Sequence, residues 1–195
     1  MPRSKMKGLQ FLTVFLVGIT LGFAVEHEAE QQKSVEPIVV ELEAISVVGI
    51  QTLFTMRCNL ITVLWERFAP RMHEIKDVAR EGVALEVSYD MQGKAEEETF
   101  FVLTGLIVNS VRDVPEGMTY KHIPAHKYAL FTHYGPISRI YDTYDRIYNK
   151  LLPSSAYEVD DKACTIEWYD ERFKMDSPGS EYDIYVPVKE RQERP

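Results

Sequence analysis

The stretch IPAHKYALFTHYGPI, residues 123–137, decides the fold of this chain. Pro124-Ala125 is a turn signal that follows a short apolar segment, Thr119 to Ile123, and the run from Lys127 to Thr132 is typical of a second strand. Gly135-Pro136 comes next, and proline favours the first turn of a helix because its missing N–H has no helical partner there. The stretch therefore predicts strand, tight turn, strand and helix in immediate succession.

The predicted helix continues until Pro153, which ends it. Its apolar stripe recurs at spacings of three and four residues, at Ile137, Ile140, Tyr141, Tyr144, Ile147, Tyr148 and Leu151. Two further strands, Ala163 to Tyr169 and Tyr182 to Val188, complete a strand-helix-strand-strand unit.

An upstream unit repeats this order, beginning with a strand from Ile45 to Phe54. Asn59 is a plausible cap for a helix that Pro70 ends or kinks. The apolar positions of that helix are Ile61, Leu64, Trp65 and Phe68.

Two predicted strands complete the upstream unit. Val83 to Tyr89 alternates between apolar residues and a second face of Ala84, Glu86 and Ser88, which predicts a half-buried strand. An acidic hairpin loop around residues 92–94 leads to a strand from Thr99 to Val108. Asp113 to Gly117 is an internal linker, since Pro and Gly interrupt it and apolar periodicity stops.

These patterns predict an α+β fold in which two strand-helix-strand-strand units form one curved antiparallel sheet with two main helices. We place the domain at residues 37–190, with repeats at about 37–112 and 118–189 and a tail at 191–195. A cleft between the copies is the natural place for a ligand.

The N-terminal segment is predicted to be a signal peptide or a membrane anchor. Arg3, Lys5 and Lys7 precede an uncharged apolar run from Gly8 to Val25, and residues 26–36 read as a polar linker. We therefore expect a protein that is exported, to the periplasm or the exterior, or tethered by residues 1–25. The net charge of −8 repels nucleic acid and anionic lipid, so no nucleic-acid partner is predicted, and membrane contact is expected only through this segment.

Cysteine and histidine give no metal or cofactor motif. Cys58 and Cys164 could pair in an oxidising compartment or remain separate thiols. His122, His126 and His133 are close in sequence, but strand and turn positions scatter their rings, so we interpret them as surface residues. We predict neither a metal site nor a cofactor.

Several stretches, taken in order, resemble the GyrI-like small-molecule-binding family, which includes the gyrase-inhibitory protein and effector domains of multidrug-responsive regulators. The resemblance covers roughly residues 38–189 and is strongest at 123–137, 148–153, 166–169 and 184–188. Looser matches lie at 47–50, 64–68 and 113–117. It implies a duplicated fold whose central groove binds bulky, often cationic aromatic compounds, with an acid at the position of Glu167.

The same resemblance sets two expectations about the kind of protein. The region before Pro37 is not expected to hold a helix-turn-helix domain, so we do not predict a DNA-binding regulator. Some relatives hydrolyse strained electrophilic compounds in the groove, so the fold does not exclude catalysis.

Glu167 is the leading candidate site residue. Alternation places Ile166 and Trp168 on one face of its strand and Glu167 with Tyr169 on the other, so periodicity alone also permits a solvent-facing acid. The resemblance favours the groove.

Rings complete the predicted binding site. Tyr169 shares the face of Glu167, Tyr89 and Tyr128 are candidate walls, and Trp65 would serve a groove between the helices. Tyr141, Tyr144 and Tyr148 are interpreted as helix-to-sheet packing.

The predicted function is capture of a bulky lipophilic or cationic compound without catalysis. The alternative is a hydrolase of electrophilic small molecules with Glu167 as general acid or base, because a carboxyl among rings has a raised pKa. A groove that takes a partner peptide is the third possibility.

Overall fold

The structure, a computed structural model, describes residues 37–55, 60–92 and 99–191. The described strands are β1 (Ile38–Leu42), β2 (Ile45–Thr55), β3 (Ala84–Gln92), β4 (Thr99–Val108), β5 (Thr119–Ile123), β6 (His126–Tyr134), β7 (Tyr157–Val159), β8 (Thr165–Tyr169) and β9 (Glu181–Glu190). The helices are α1 (Ile61–Phe68) and α2 (Ile140–Arg146).

One antiparallel sheet runs through the whole described chain, in the order β1-β6-β9-β8-β3-β4-β2-β5, with β7 paired to β9. The α+β class with a large antiparallel sheet and two helices is therefore confirmed. The central neighbours are β8 and β3, so each half of the chain contributes one strand to the middle of the sheet. The duplication of the unit stays a prediction.

The sheet is strongly curved, because two short connections join strands at its opposite ends. β5 and β6 are six positions apart in the sheet, about 29 Å if it were flat, since neighbouring strands lie about 4.8 Å apart. Only Pro124 and Ala125 separate them, and three Cα steps reach at most about 11 Å. β1 and β2 are also six positions apart and are joined by Glu43 and Ala44 alone. The two edges of the sheet must therefore approach each other.

Curvature divides the core into two sides. The side without helices encloses an apolar cluster, which we call the enclosed face, built from Val47, Leu85, Val87, Tyr89, Leu103, Ile107, Ile123, Tyr128, Cys164, Ile166 and Trp168. The helices cover the other side, the helix face, where Leu64 and Phe68 of α1 pack over β2 and β4. Ile147 and Leu152, in and just after the helical turns that follow α2, pack over β6 and β9.

Two glycines let β2 and β4 pair closely. Gly49 and Gly105 are register partners, and a Cβ added at Gly49 would lie only 1.9 Å from the carbonyl oxygen of Thr104. Neither position accepts a side chain without displacing backbone.

Most predicted elements are present with small shifts of their ends. β2, β4, β5 and β6 fall on the predicted strands. The predicted second helix is three segments, a 3₁₀ turn at Ile137–Arg139, α2, and a π-helical turn at Ile147–Leu151. β1 and β7 were not predicted from the sequence.

Two predictions of exposure are wrong. β3 is not half-buried: Leu85 and Glu86 are both buried, because the helices cover one face of this central strand and the curved sheet encloses the other. His133 is a core residue rather than a surface one, and its Nδ1 lies 2.7 Å from the hydroxyl of Thr143, which connects β6 to α2.

Several predicted features lie outside the described residues. They are the signal or anchor segment 1–25, the linker 26–36, the cap Asn59, the tail 192–195, and the hairpin loop from residue 93. Among the residues that the structure describes, no helix is long and apolar enough to span a bilayer.

Candidate functional site

Two acids lie side by side at the centre of the sheet. Glu86 of β3 and Glu167 of β8 are direct register partners across the central strand pair. Thr104 of β4 continues the row on one side and Ile184 of β9 continues it on the other. Residues paired directly across antiparallel strands project to the same face, so both carboxyl groups point to the helix face.

Both acids are buried, at 5% and 9% exposure for Glu86 and Glu167. An ionised carboxylate that loses water without gaining a cation costs several kcal/mol. Such a pair is therefore expensive to maintain as part of a structural core.

The hydrogen bonds that the structure shows to these carboxyl groups come from neutral donors. Trp65 of α1 donates its indole N–H to Glu86 Oε2 at 2.8 Å. Tyr144 of α2 donates its hydroxyl to Glu167 Oε1 at 2.6 Å, and Tyr169 of β8 donates to Oε2. Each helix therefore contributes one polar group that covers one acid.

Aromatic rings surround the acids. Trp65 packs edge-on against Tyr169 with ring centroids 5.2 Å apart, and Tyr169 in turn stacks on Tyr182 at 4.7 Å. Phe173 lies edge-on to Tyr169 at 4.9 Å, and Tyr148 stacks on Tyr144. The acids are thus enclosed by ring faces and by the polar tips of the same rings.

The pKa values of both acids are raised by this environment. Burial, and after it the charge of Glu167, raise the pKa of Glu86 to about 8, against the opposite effect of the Trp65 hydrogen bond. Burial also raises the pKa of Glu167, although the hydrogen bonds from Tyr144 and Tyr169 favour its ionised form. At neutral pH the pair therefore retains a proton.

The structure brings together three of the five residues predicted from the sequence. Glu167, Tyr169 and Trp65 are in mutual contact on the helix face, where a contact chain runs from the acid through Tyr169 to the indole. Tyr89 and Tyr128 lie in the cluster of the enclosed face. The sheet separates them from the carboxyl groups, so they do not line the same site.

Two residues of this site were missed by the sequence reasoning. Glu86 was assigned to a polar strand face, and Tyr144 to helix packing. The sequence does contain a signal that Glu86 belongs to the site. Each predicted unit has a strand with one acid between two apolar residues, Leu85-Glu86-Val87 in the first and Ile166-Glu167-Trp168 in the second. Tyr144 carried no comparable signal, since its hydroxyl reaches Glu167 only through the placement of α2.

The described residues contain no group of three His, Cys, Asp or Glu side chains that could hold a metal ion. Cys164 is a free, buried thiol on the enclosed face, and Cys58 lies outside the described residues. His122 contacts Ser46, and His126 lies 3.7 Å from Asp160.

The buried acid pair under two helices defines the candidate site, and the comparisons with known proteins show the family. The family model for the GyrI-like small-molecule-binding domain matches residues 35–189. The chain therefore belongs to the GyrI-like family.

One curated relative is the transcriptional regulator BrlR of Pseudomonas aeruginosa, 36% identical over 151 residues. The match covers 77% of this chain and 54% of BrlR, so the chain spans about half the length of that relative.

Two solved structures share the fold at low sequence identity. SAV2435 bound to tetraphenylphosphonium aligns with a TM-score of 0.62 at 16% identity, over 80% of this chain and 94% of SAV2435. The C-terminal domain of EcmrR aligns with a TM-score of 0.58 at 16% identity, over 80% of this chain and 98% of that domain.

Proposed function

We propose that this protein binds a bulky lipophilic cation on the helix face, with its charge against Glu167 and Glu86. The observation that carries the proposal is the buried acid pair whose described hydrogen bonds come from neutral indole and phenol groups. Such a pair attracts a cation strongly, because water does not screen charges in a buried site.

The surrounding rings determine what kind of cation fits. The rings of Trp65 and Tyr169 lie beside the acids, and a cation that reached their faces would gain about 0.5 to 2 kcal/mol from each cation–π contact. A small hydrated ion would have to shed its water, whereas a quaternary phosphonium or ammonium ion with aryl groups is weakly hydrated and apolar. The chemistry therefore favours a delocalised aromatic cation.

A ligand can reach the acids only if side chains of the two helices move aside. Trp65 of α1 and Tyr144 of α2 cover the carboxyl groups and occupy their hydrogen-bonding positions. Neither side chain carries a charge that holds it there, and both can rotate about their side-chain bonds. We propose that the ligand displaces these two donors and takes their place against the acids.

The fold relative SAV2435, which binds tetraphenylphosphonium, supports this choice of ligand class. The matched arrangement of strands on either side of β3 and β8, with one acid from each, supports the proposed duplication of the unit around the site. We further propose that the site acts in an exported or membrane-tethered protein, on the basis of the apolar run from Gly8 to Val25.

Calorimetric titration of the full chain with tetraphenylphosphonium tests the proposed function. We expect saturable binding that weakens when Glu167→Gln removes the negative charge. Glu66→Gln is the matched control, because Glu66 is an exposed acid on α1 next to Trp65. Equal affinity in wild type, Glu167→Gln and Glu66→Gln would contradict the role of the buried acid.

Hydrolysis of electrophilic small molecules is the second candidate function. It is favoured by one observation, that the raised pKa of Glu86, about 8, leaves a carboxylic acid available to donate a proton near neutral pH. Glu167, hydrogen-bonded to Tyr144 and Tyr169, would then be the base. Turnover of an epoxide or cyclopropane substrate that disappears in both Glu86→Gln and Glu167→Gln would establish this role.

A further inference from the structure

The two acids are placed so that they cannot both carry charge in the empty site. Their Cα atoms are register partners, their side chains share one face, and both are buried. Like charges directly opposite each other in a sheet are unfavourable, and two carboxyl groups that share a dry site keep a proton between them. A cation that enters supplies the positive charge that this proton supplied before.

The phenols, the indole and the threonine around the pair stay neutral near physiological pH. The groups at this site that gain or lose a proton there are therefore the two carboxyl groups. Burial raises the pKa of Tyr144, Tyr169 and Tyr182 far above the usual range, so these phenols stay neutral. The indole of Trp65 on α1 does not ionise, and Thr104 of β4 does not titrate.

Charged residues also occur on the two helices that cover the pair. Glu66 and Arg67 of α1 are exposed. On α2, Asp145 accepts a hydrogen bond from Asn149, and Arg146 follows it on the helix and is partly buried.

We propose that the Glu86–Glu167 pair is a proton–cation exchange site, in which a monovalent lipophilic cation binds both carboxyl groups and releases the proton that they share to the solvent. This inference rests on the proposed function and adds to it the release of one proton from the acid pair. One positive charge enters and one leaves, so the net charge of the buried site does not change. Release of the proton ionises the second carboxyl group, and the attraction of the cation to two carboxylates in a dry site offsets the cost of that ionisation.

Two measurable consequences follow for wild-type protein. Cation affinity rises with pH, by up to about tenfold per unit while the pair is protonated. The heat of binding also depends on the buffer, because the released proton is taken up by it. A neutral ligand of similar shape shows neither effect.

Calorimetry of the full chain with tetraphenylphosphonium tests the exchange. Titrations near neutral pH in phosphate, imidazole and Tris, whose ionisation enthalpies differ, give the number of protons released from the slope of enthalpy against ionisation enthalpy. We expect a release of about one proton per cation, and none with triphenylphosphine oxide as the neutral control. Glu86→Gln is expected to bind the cation with less than about half of this release, since Glu167 then ionises more readily. Glu66→Gln is expected to match wild type.

The outcomes separate the two proposals. Tetraphenylphosphonium binding with no proton release and no pH dependence overturns the exchange and leaves the proposed function standing. Proton release that is unchanged in Glu86→Gln assigns the proton to another group and also overturns the inference. Absence of binding to folded protein across the pH range of the titrations overturns the proposed function itself. The wild-type buffer series decides the matter even if Glu86→Gln fails to fold.

Discussion

The two faces of the sheet both carry buried titratable side chains, and burial has opposite consequences for the phenols of one face and the carboxyl groups of the other. On the enclosed face, burial raises the pKa of Tyr89 to about 12 and raises that of Tyr128 further, so both phenols stay neutral. On the helix face, burial brings the pKa of Glu86 up to about 8. Burial therefore moves the pKa of a phenol further from physiological pH and moves the pKa of a carboxyl group toward it.

The largest expected effect is on the pH dependence of stability. Because the folded pKa of Glu86 lies above its ordinary value, its contribution to folding is complete below about pH 4.5 and is lost as pH rises through about 8. Glu86→Gln has no such loss. We therefore expect the variant to gain stability relative to wild type as pH rises, by a few kcal/mol near about pH 9.

Denaturant unfolding at several pH values measures this difference. Comparison with wild type at each pH removes the opposing contribution of His133, whose lowered pKa favours folding above its usual titration range and is common to both proteins. Tyr89→Phe on the enclosed face is the control and should show no such trend. A constant difference between Glu86→Gln and wild type across the pH range would contradict the raised pKa of Glu86.

The next effect concerns the charge of the helix face. We expect Glu86→Gln combined with Glu167→Gln to weaken tetraphenylphosphonium binding by about a hundredfold, or about 2.7 kcal/mol, because neither side chain can then become a carboxylate that pairs with the cation. Binding of neutral triphenylphosphine oxide should change by less than about threefold. Equal losses for both ligands would mean that the substitutions damage the shape of the site rather than its charge.

Much of the fold can be predicted from the sequence, because the patterns that indicate its strands, turns and helices lie within short segments. The turn at Pro124-Ala125, the Gly135-Pro136 helix start and the apolar runs of β2 and β4 predict elements from short segments. The site was accessible only in part. The sequence identifies Glu167 but not its partner Glu86. Alternation in β3 indicates that the strand has two faces, but it does not indicate that a helix covers the face with the polar residues.

The placement of rings was beyond sequence reasoning for a similar reason. Tyr89 and Tyr169 both lie on strands and were both predicted to face the ligand, but the register of the curved sheet puts them on opposite sides. Tyr144 is predicted to be a packing residue because its spacing indicates only which side of the helix it occupies. Spacing does not indicate that its hydroxyl donates a hydrogen bond to Glu167.

A smaller effect is expected from removing one neutral donor on each face. Trp65→Phe deletes the N–H that Glu86 accepts and should reduce stability by about 1 to 2 kcal/mol. Cation affinity should rise by up to about threefold, because the ligand no longer has to displace this donor. Trp168→Phe on the enclosed face is the matched control, and its cation affinity should stay within about twofold of wild type. Weaker cation binding in Trp65→Phe than in Trp168→Phe would contradict the proposed displacement of the indole.

The smallest effect is expected at Tyr128, whose hydroxyl has no hydrogen-bond partner among the described residues. Tyr128→Phe removes this unpaired group, so stability should change by no more than about 0.5 kcal/mol and cation affinity by less than about twofold. Tyr169→Phe, which removes a hydrogen bond to Glu167, is the contrasting variant. A larger loss in Tyr128→Phe than in Tyr169→Phe would place the ligand on the enclosed face instead.

The protein contains two tryptophans, and the sheet places one on each side. Trp65 contacts Glu86 directly, whereas Trp168 packs in the enclosed face, with the Arg80 guanidinium 5.4 Å from its ring centre. Intrinsic fluorescence thus has two separate sources. Emission from Trp65 should respond when its indole N–H leaves the acid, while emission from Trp168 provides an internal reference. The chain carries a built-in ratiometric reporter of events at its central acids, which the single-tryptophan variants would resolve without any added dye.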